Sequence, residues 1–161
     1  MTVQIPEQRG GLDRDVSAAD VALYILETEG QMGTMKLQKL VFYCQAYSLA
    51  WFKTPMFGDP VEAWVHGPVI RSLWNLHKRL FSFTAADLKA KDPTADSSRL
   101  TSTDRRVVRS ILNSVGALSG LDLRDRTHDE APWIDAFDET EAWHSTEITQ
   151  QAMQEYYSAH A

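Results

Sequence analysis

Residues 35–52 read MKLQKLVFYCQAYSLAWF, and how this stretch folds decides the architecture around it. Leu37, Leu40, Val41, Cys44, Ser48 and Trp51 recur at the spacing of one helical face, while Phe42, Ala46, Leu49 and Ala50 make the other side apolar as well. A helix that is apolar nearly all round has no face to offer water and belongs at the centre of a domain. Thr34 stands where an N-terminal cap is needed. Lys36 and Lys39 are the exceptions, because they fall in the first turns, where the helix dipole disfavours a cation by about 0.3–1 kcal/mol. They read either as solvated ammonium groups on buried stems or as the place where an acidic partner or segment docks.

Upstream, Ser17-Ala18-Ala19-Asp20 has the form of a capping box, and Ala18, Val21, Ala22, Ile25 and Leu26 follow as an amphipathic helix that Gly30 ends. The residues before it, 1–16, hold a proline, a Gly10-Gly11 pair and no apolar period, and are expected to form a flexible lead-in to a domain over 17–161. Downstream, Thr54-Pro55 and Gly58-Asp59-Pro60 punctuate a turn before a strand-like run, Val61–Val65. His66-Gly67-Pro68 reads as a strand-to-helix corner, with Pro68 in the first position of a helix carried by Val69, Leu73, Leu76 and Leu80. The polar stretch 87–102 is expected to be a surface connection begun by a short turn of helix. From Thr103-Asp104, Val107, Val108, Ile111, Leu112, Val115 and Leu118 mark the clearest amphipathic helix, with Arg105, Arg106 and Arg109 on its other side. Leu121 and Leu123 start another helical pattern, Pro132 restarts it, residues 144–148 form a second extended piece able to pair with Val61–Val65, and Thr149 caps a last helix. The expected fold is therefore mainly α: a compact single-domain helical fold with a small β element, its short strands near 61–65 and 144–148.

A chain of 161 residues, 43% of them hydrophobic, is long enough for one core. Its single cysteine, Cys44, allows no internal disulfide, and no Cys-x-x-Cys pair is present. No apolar run approaches the roughly 20 residues that span a bilayer, and no signal-like segment opens the chain, so the expected compartment is the cytoplasm. The net charge is −6, and residues 121–147 hold nine acidic side chains against Arg124 and Arg126. That balance disfavours nonspecific nucleic-acid binding and suits a basic protein partner.

Catalytic chemistry finds little foothold. Five histidines, at 66, 77, 128, 144 and 160, never stand at i, i+4 on one helix, so a metal site would need His66 and His128 to meet through the fold. Cys44 lies within an apolar helix, where a thiol is not activated. The eight glycines form no phosphate-cradling pattern. Neither a metal nor another cofactor is expected, nor is an enzyme. Arg105 and Arg109 lie one turn apart and could clamp an anion, but the acidic overall balance argues against a DNA-binding role. Of the five tryptophans, three are expected to pack the interior, leaving one or two near a recognition surface.

Taken in order, Lys36-Leu37-Gln38-Lys39-Leu40, then Glu62-Ala63-Trp64 leading to His66-Gly67-Pro68 and on through Arg71, then Thr127-His128 leading past Glu130 to Pro132-Trp133, resemble the Panacea antitoxin-domain family, which includes the SocA-like antitoxins. The resemblance runs from about Ser17 to Tyr157. It implies a mostly helical domain with a small β element that neutralises a cognate protein toxin by binding it. The toxin would be encoded by an adjacent gene, often on prophage or other mobile DNA. It also implies a variant in which the antitoxin is an adaptor delivering the toxin to a protease. The residues it marks are Lys36, Lys39, Trp64, His66, Gly67, Pro68, Arg71, Thr127, His128, Glu130 and Trp133.

His66 is expected either to hydrogen-bond within the corner or to touch the partner, and His128, beside Asp129 and Glu130, to be its polar neighbour across the fold. The competing reading from another class, a small His-dependent hydrolase or metalloenzyme, requires the two histidines to converge in an open pocket.

Overall fold

The computed structural model describes residues 15–141 and 146–160. Helix α1 (Ala18–Glu29) leads through β1 (Met32–Gly33) into α2 (Thr34–Phe52), followed by β2 (Val61–Trp64), β3 (Gly67–Val69), α3 (Arg71–His77), β4 (Ser82–Phe83) and α4 (Ala85–Lys91). A 3-10 turn (Ser97–Arg99) precedes α5 (Ser102–Val115), α6 (Gly120–His128) and α7 (Ala131–Ala136), a second 3-10 turn (Glu139–Glu141), β5 (Thr146–Ile148) and α8 (Gln150–His160). The fold is mainly α with two small antiparallel sheets, β1–β4 and β3–β2–β5. The predicted lead-in lies outside the described residues except for Asp15 and Val16, and Val16 already belongs to the core.

Helix α2 sits at the centre, as its all-round apolar surface requires: Leu37, Leu40, Val41, Phe42, Cys44 and Ala46 are fully buried, and α8, α6 and α5 pack against it. Four capping boxes start the helices around it, Ser17 with Asp20, Thr84 with Asp87, Thr101 with Asp104 and Ser119 with Asp122. Asp20 does more than cap: it also accepts from the Asp96 amide at 2.8 Å and from Arg99 at 3.2 Å, so a fully buried carboxylate ties the 3-10 turn to α1.

Three local expectations give way. Thr34 is the first residue of α2 and not its cap; its hydroxyl donates to the Leu80 carbonyl instead, and Gly33 precedes the helix with no side-chain cap. The polar connection 87–102 begins with more than the expected short turn: α4 starts at Ala85 and runs to Lys91, because Phe83, Leu88, Ala95 and Leu100 are buried and hold this segment to the core. His66-Gly67-Pro68 is not a strand-to-helix corner. Trp64 pairs with Gly67 and Ala63 with Pro68, so Val65 and His66 are the two-residue loop of a β-hairpin, and the helix waits until Arg71. Gly67 takes φ of +112°, which a side chain would resist, and Pro68 is accommodated because β3 is an edge strand.

The second extended piece does pair with β2, Val61 opposite Ile148 and Ala63 opposite Thr146. Its first predicted residues, 144 and 145, lie outside the described residues.

Candidate functional site

Because α2 is surrounded on every side, its polar residues are carried into the interior and must find partners there. Gln38 accepts from the Ile70 amide at 2.9 Å and donates to the Ile70 carbonyl at 3.2 Å, and its amide nitrogen meets His77 at 3.0 Å. Gln45 accepts from the Met56 and Phe57 amides and donates to the Phe57 carbonyl at 2.7 Å. These two glutamines fix the segments on either side of the hairpin, and neither stood out in the sequence, where a polar residue inside an apolar helix was the available signal.

Lys39 belongs to the same set. It is only 2% exposed, so it is not a solvated cation, and its ammonium donates to the Pro68 carbonyl at 3.2 Å. Burial, reinforced by the nearby Arg124 charge, lowers its pKa to about 7. Gly67 makes this placement possible: a Cβ there would stand 2.6 Å from Lys39 Cε and 3.1 Å from Thr127 Oγ1. Thr127, fully buried, donates its hydroxyl to the Arg124 carbonyl at 2.7 Å. Lys39, Gly67, Pro68 and Thr127 thus meet in one place, although they come from α2, the hairpin and α6.

Next to this junction lies an aromatic stack. His128 stacks on Trp133 with ring centroids 3.9 Å apart, and Trp133 on Phe137 at 4.7 Å. The Trp133 indole nitrogen donates to the Trp64 carbonyl at 2.7 Å, tying α7 to the hairpin. Trp64 packs edge-on against Trp74, lies beneath Arg71 at 5.0 Å, and donates to Glu62, which also pairs with Arg71 at 2.9 Å. None of the four described tryptophans is fully buried. Trp51 is exposed and the other three are half-buried, which corrects the expectation of a tryptophan-rich interior; Trp143 lies outside the described residues.

Glu130 turns the other way, accepting hydroxyls from Tyr43 at 2.8 Å and Tyr157 at 2.7 Å beneath an Arg126 contact at 3.8 Å. Burial raises its carboxyl pKa despite those bonds, and burial beside Glu130 raises both tyrosines strongly. Tyr157 was missed as a site residue because it comes from α8, far along the chain.

His66 and His128 are neighbours, close enough for the charge of His66 to add to burial in lowering the His128 pKa, but no hydrogen bond joins them into a buried network. His66 sits exposed in the hairpin loop with no side-chain hydrogen bond among the described residues, while the Nε2 of His128 is buried without a partner. Burial, with Arg124 and Lys39 nearby, lowers the His128 pKa. No group of three metal-ligating side chains occurs among the described residues. Cys44 is buried and its thiol is pushed up in pKa, the opposite of an activated nucleophile.

What the cluster presents outward is an aromatic and apolar face: Val65 at 59% and Ile134 at 49% exposure flank the Trp133–Trp64 bond, with Arg71 and His66 in the open beside them. Exposed Asp129, Asp135 and Asp138 lie within about five residues of Trp133 along the chain. Lys36 is set apart, half-buried where Gly120 packs against its backbone.

A family model described as antitoxin SocA-like, Panacea domain, matches residues 37–134, more than half of the chain. The matched span includes Lys39, the hairpin, Thr127, His128 and Trp133 and stops before α8. No curated protein and no solved structure matches the chain. No helix among the described residues is long and apolar enough to cross a membrane.

Proposed function

The chain belongs to the SocA-like antitoxin, Panacea-domain family, and from that membership we propose that it neutralises a cognate protein toxin by binding it directly. The observation that carries this reading is the family match over the residues that build the junction and its aromatic face. Half-buried Trp64, Trp74 and Trp133 with exposed Arg71, Val65 and Ile134 are the residue types and the setting in which a few anchors supply most of an interface's energy. The exposed aspartates close to Trp133 in the chain favour a toxin with a basic contact surface and would speed encounter more than they deepen affinity.

A hydrolase built on the same residues is disfavoured by their burial. The Lys39 amine is enclosed by Gly67, Pro68 and Thr127, and the unpartnered His128 nitrogen is covered, so neither reaches a substrate without rearrangement.

The test is co-expression with the product of the adjacent gene, scoring growth and then co-purification. Rescue together with a stable complex supports direct neutralisation, and rescue that needs a cellular protease supports the adaptor variant. Absence of both toxicity and complex removes the proposal. His128→Ala distinguishes the enzyme: loss of a turnover with fold and binding intact would replace the binding reading by a catalytic one.

A further inference from the structure

Helices α2 and α6 pack together: Gly120 at the start of α6 lies against Lys36 in the first turn of α2, and Lys39 and Thr127 both close on Gly67. Where they begin, the surface opens into a groove of about 600 Å³, away from the aromatic face by the length of α6. The chain carries a net charge of −6, yet none of the residues lining this groove is acidic. Lys36 and Arg79 stand on it, and among the described residues neither forms an ion pair. Its apolar part is Met35 with Leu80, Phe81 and Leu121, the last three 41%, 95% and 57% exposed.

Phe81 is displayed by fixed backbone. The Thr34 amide donates to the Phe81 carbonyl at 2.8 Å, the Thr34 hydroxyl to Leu80 at 2.9 Å, and Ser82 pairs with Gly33 across β1 and β4. Arg79, at φ of +74°, holds the left-handed turn that aims the segment outward. A large ring kept in water on an ordered backbone is preorganised for contact and gives up little entropy on binding. The N-termini of α2 and α6 both line the groove and their positive ends add to the cations, and α2 has neither an acidic residue in its first turn nor a side-chain cap. The nearest carboxylate of α6, Asp122, is engaged in its own capping box.

We propose that this groove docks an acidic peptide segment of a partner protein, with an apolar side chain seated against Phe81 and Leu121 and carboxylates paired to Lys36 and Arg79. Two cations are too few to follow a phosphate backbone, so a peptide is the occupant the chemistry favours over nucleic acid.

The test uses the full chain, labelled with nitrogen-15, titrated with acetyl-Glu-Asp-Leu-Phe-Asp-Glu-amide, with acetyl-Lys-Lys-Leu-Phe-Lys-Lys-amide and with a single-stranded oligothymidylate. The expected result is saturable shifts with the acidic peptide, confined to residues 33–36, 79–81 and 119–121. Lys36→Glu combined with Arg79→Glu, and separately Phe81→Ser, should weaken them tenfold or more while leaving Tm unchanged. No shift, equal shifts with the basic peptide, shifts only with the oligonucleotide, or concentration-dependent shifts of the same amides without peptide would each overturn it, the last assigning the groove to a second copy. No toxin is present in any arm, so the result stands apart from the fate of the neutralisation reading.

Discussion

Lys39 can lie where it does only because residue 67 is glycine: the nearest approach of an added Cβ to Lys39 Cε would be 2.6 Å. One residue without a side chain thus admits a buried amine between the hairpin and α6, and both contribute to the candidate site.

Gly67→Ala should therefore be costly twice over. The left-handed φ of +112° penalises any side chain by about 1–2 kcal/mol, and the added methyl crowds Lys39 and Thr127 for about 1–3 kcal/mol more. The expected outcome is a loss of about 2–4 kcal/mol in urea unfolding with an unchanged m-value. A variant as stable as the parent would show that the close approach is not tight.

Lys39 also makes stability depend on pH. Its folded pKa of about 7 lies below its unfolded value, so between the two the unfolded chain holds a proton that the folded chain has released. Stability should rise with pH from about 7 upward, by at most about 1.4 kcal/mol per unit from this group, and the burial cost is fully present below pH 7. Cys44 and the buried tyrosines act in the opposite sense at higher pH, since the folded state keeps their protons. The informative quantity is the difference between the parent and Lys39→Met across pH 7–8.5. That difference should narrow as pH rises, with the Met variant the more stable near pH 7. A constant difference would mean that the amine is already charged and satisfied.

Glu130 offers a double-mutant cycle. Tyr43→Phe and Tyr157→Phe each remove one hydroxyl donor to the same carboxylate oxygen, at about 1.5–3 kcal/mol for a bond to a charged acceptor. Because the two share that acceptor, the double variant should differ from the sum of the singles by about 0.5 kcal/mol or more. Strict additivity in thermal unfolding would argue that the two bonds act independently.

The aromatic face is tested by charge. Val65→Asp and Ile134→Asp alter exposed side chains and should change stability by no more than about 0.5 kcal/mol. If the toxin covers this face, each should weaken toxin binding tenfold or more, and Lys89→Asp on the exposed side of α4 should not. Unchanged toxin affinity in both variants would move the interface elsewhere.

Much of the architecture could be read from local pattern. The central helix, the Ser17 capping box, the glycine stop at Gly30, the restart at Pro132 and the Thr149 cap each depend on a few adjacent residues, and each is found. The capping boxes of Thr84, Thr101 and Ser119 are equally local signals. The hairpin is not legible locally, because Pro68 suits a first helical turn and an edge strand equally, and only pairing with β2 decides between them.

By itself, then, the sequence determined a mainly helical chain around an apolar α2, and the ordered motifs that mark its family. Helix periodicity, caps and breakers act over a few residues, so they survive being read one segment at a time. Tertiary structure alone decided that Lys39 is buried, that His66 faces solvent while His128 stacks on Trp133, and that Glu130 is shared by Tyr43 and Tyr157. Those outcomes depend on contacts between residues tens of positions apart. The solvation and charge state of a buried group are properties of what surrounds it, and no local pattern carries that information.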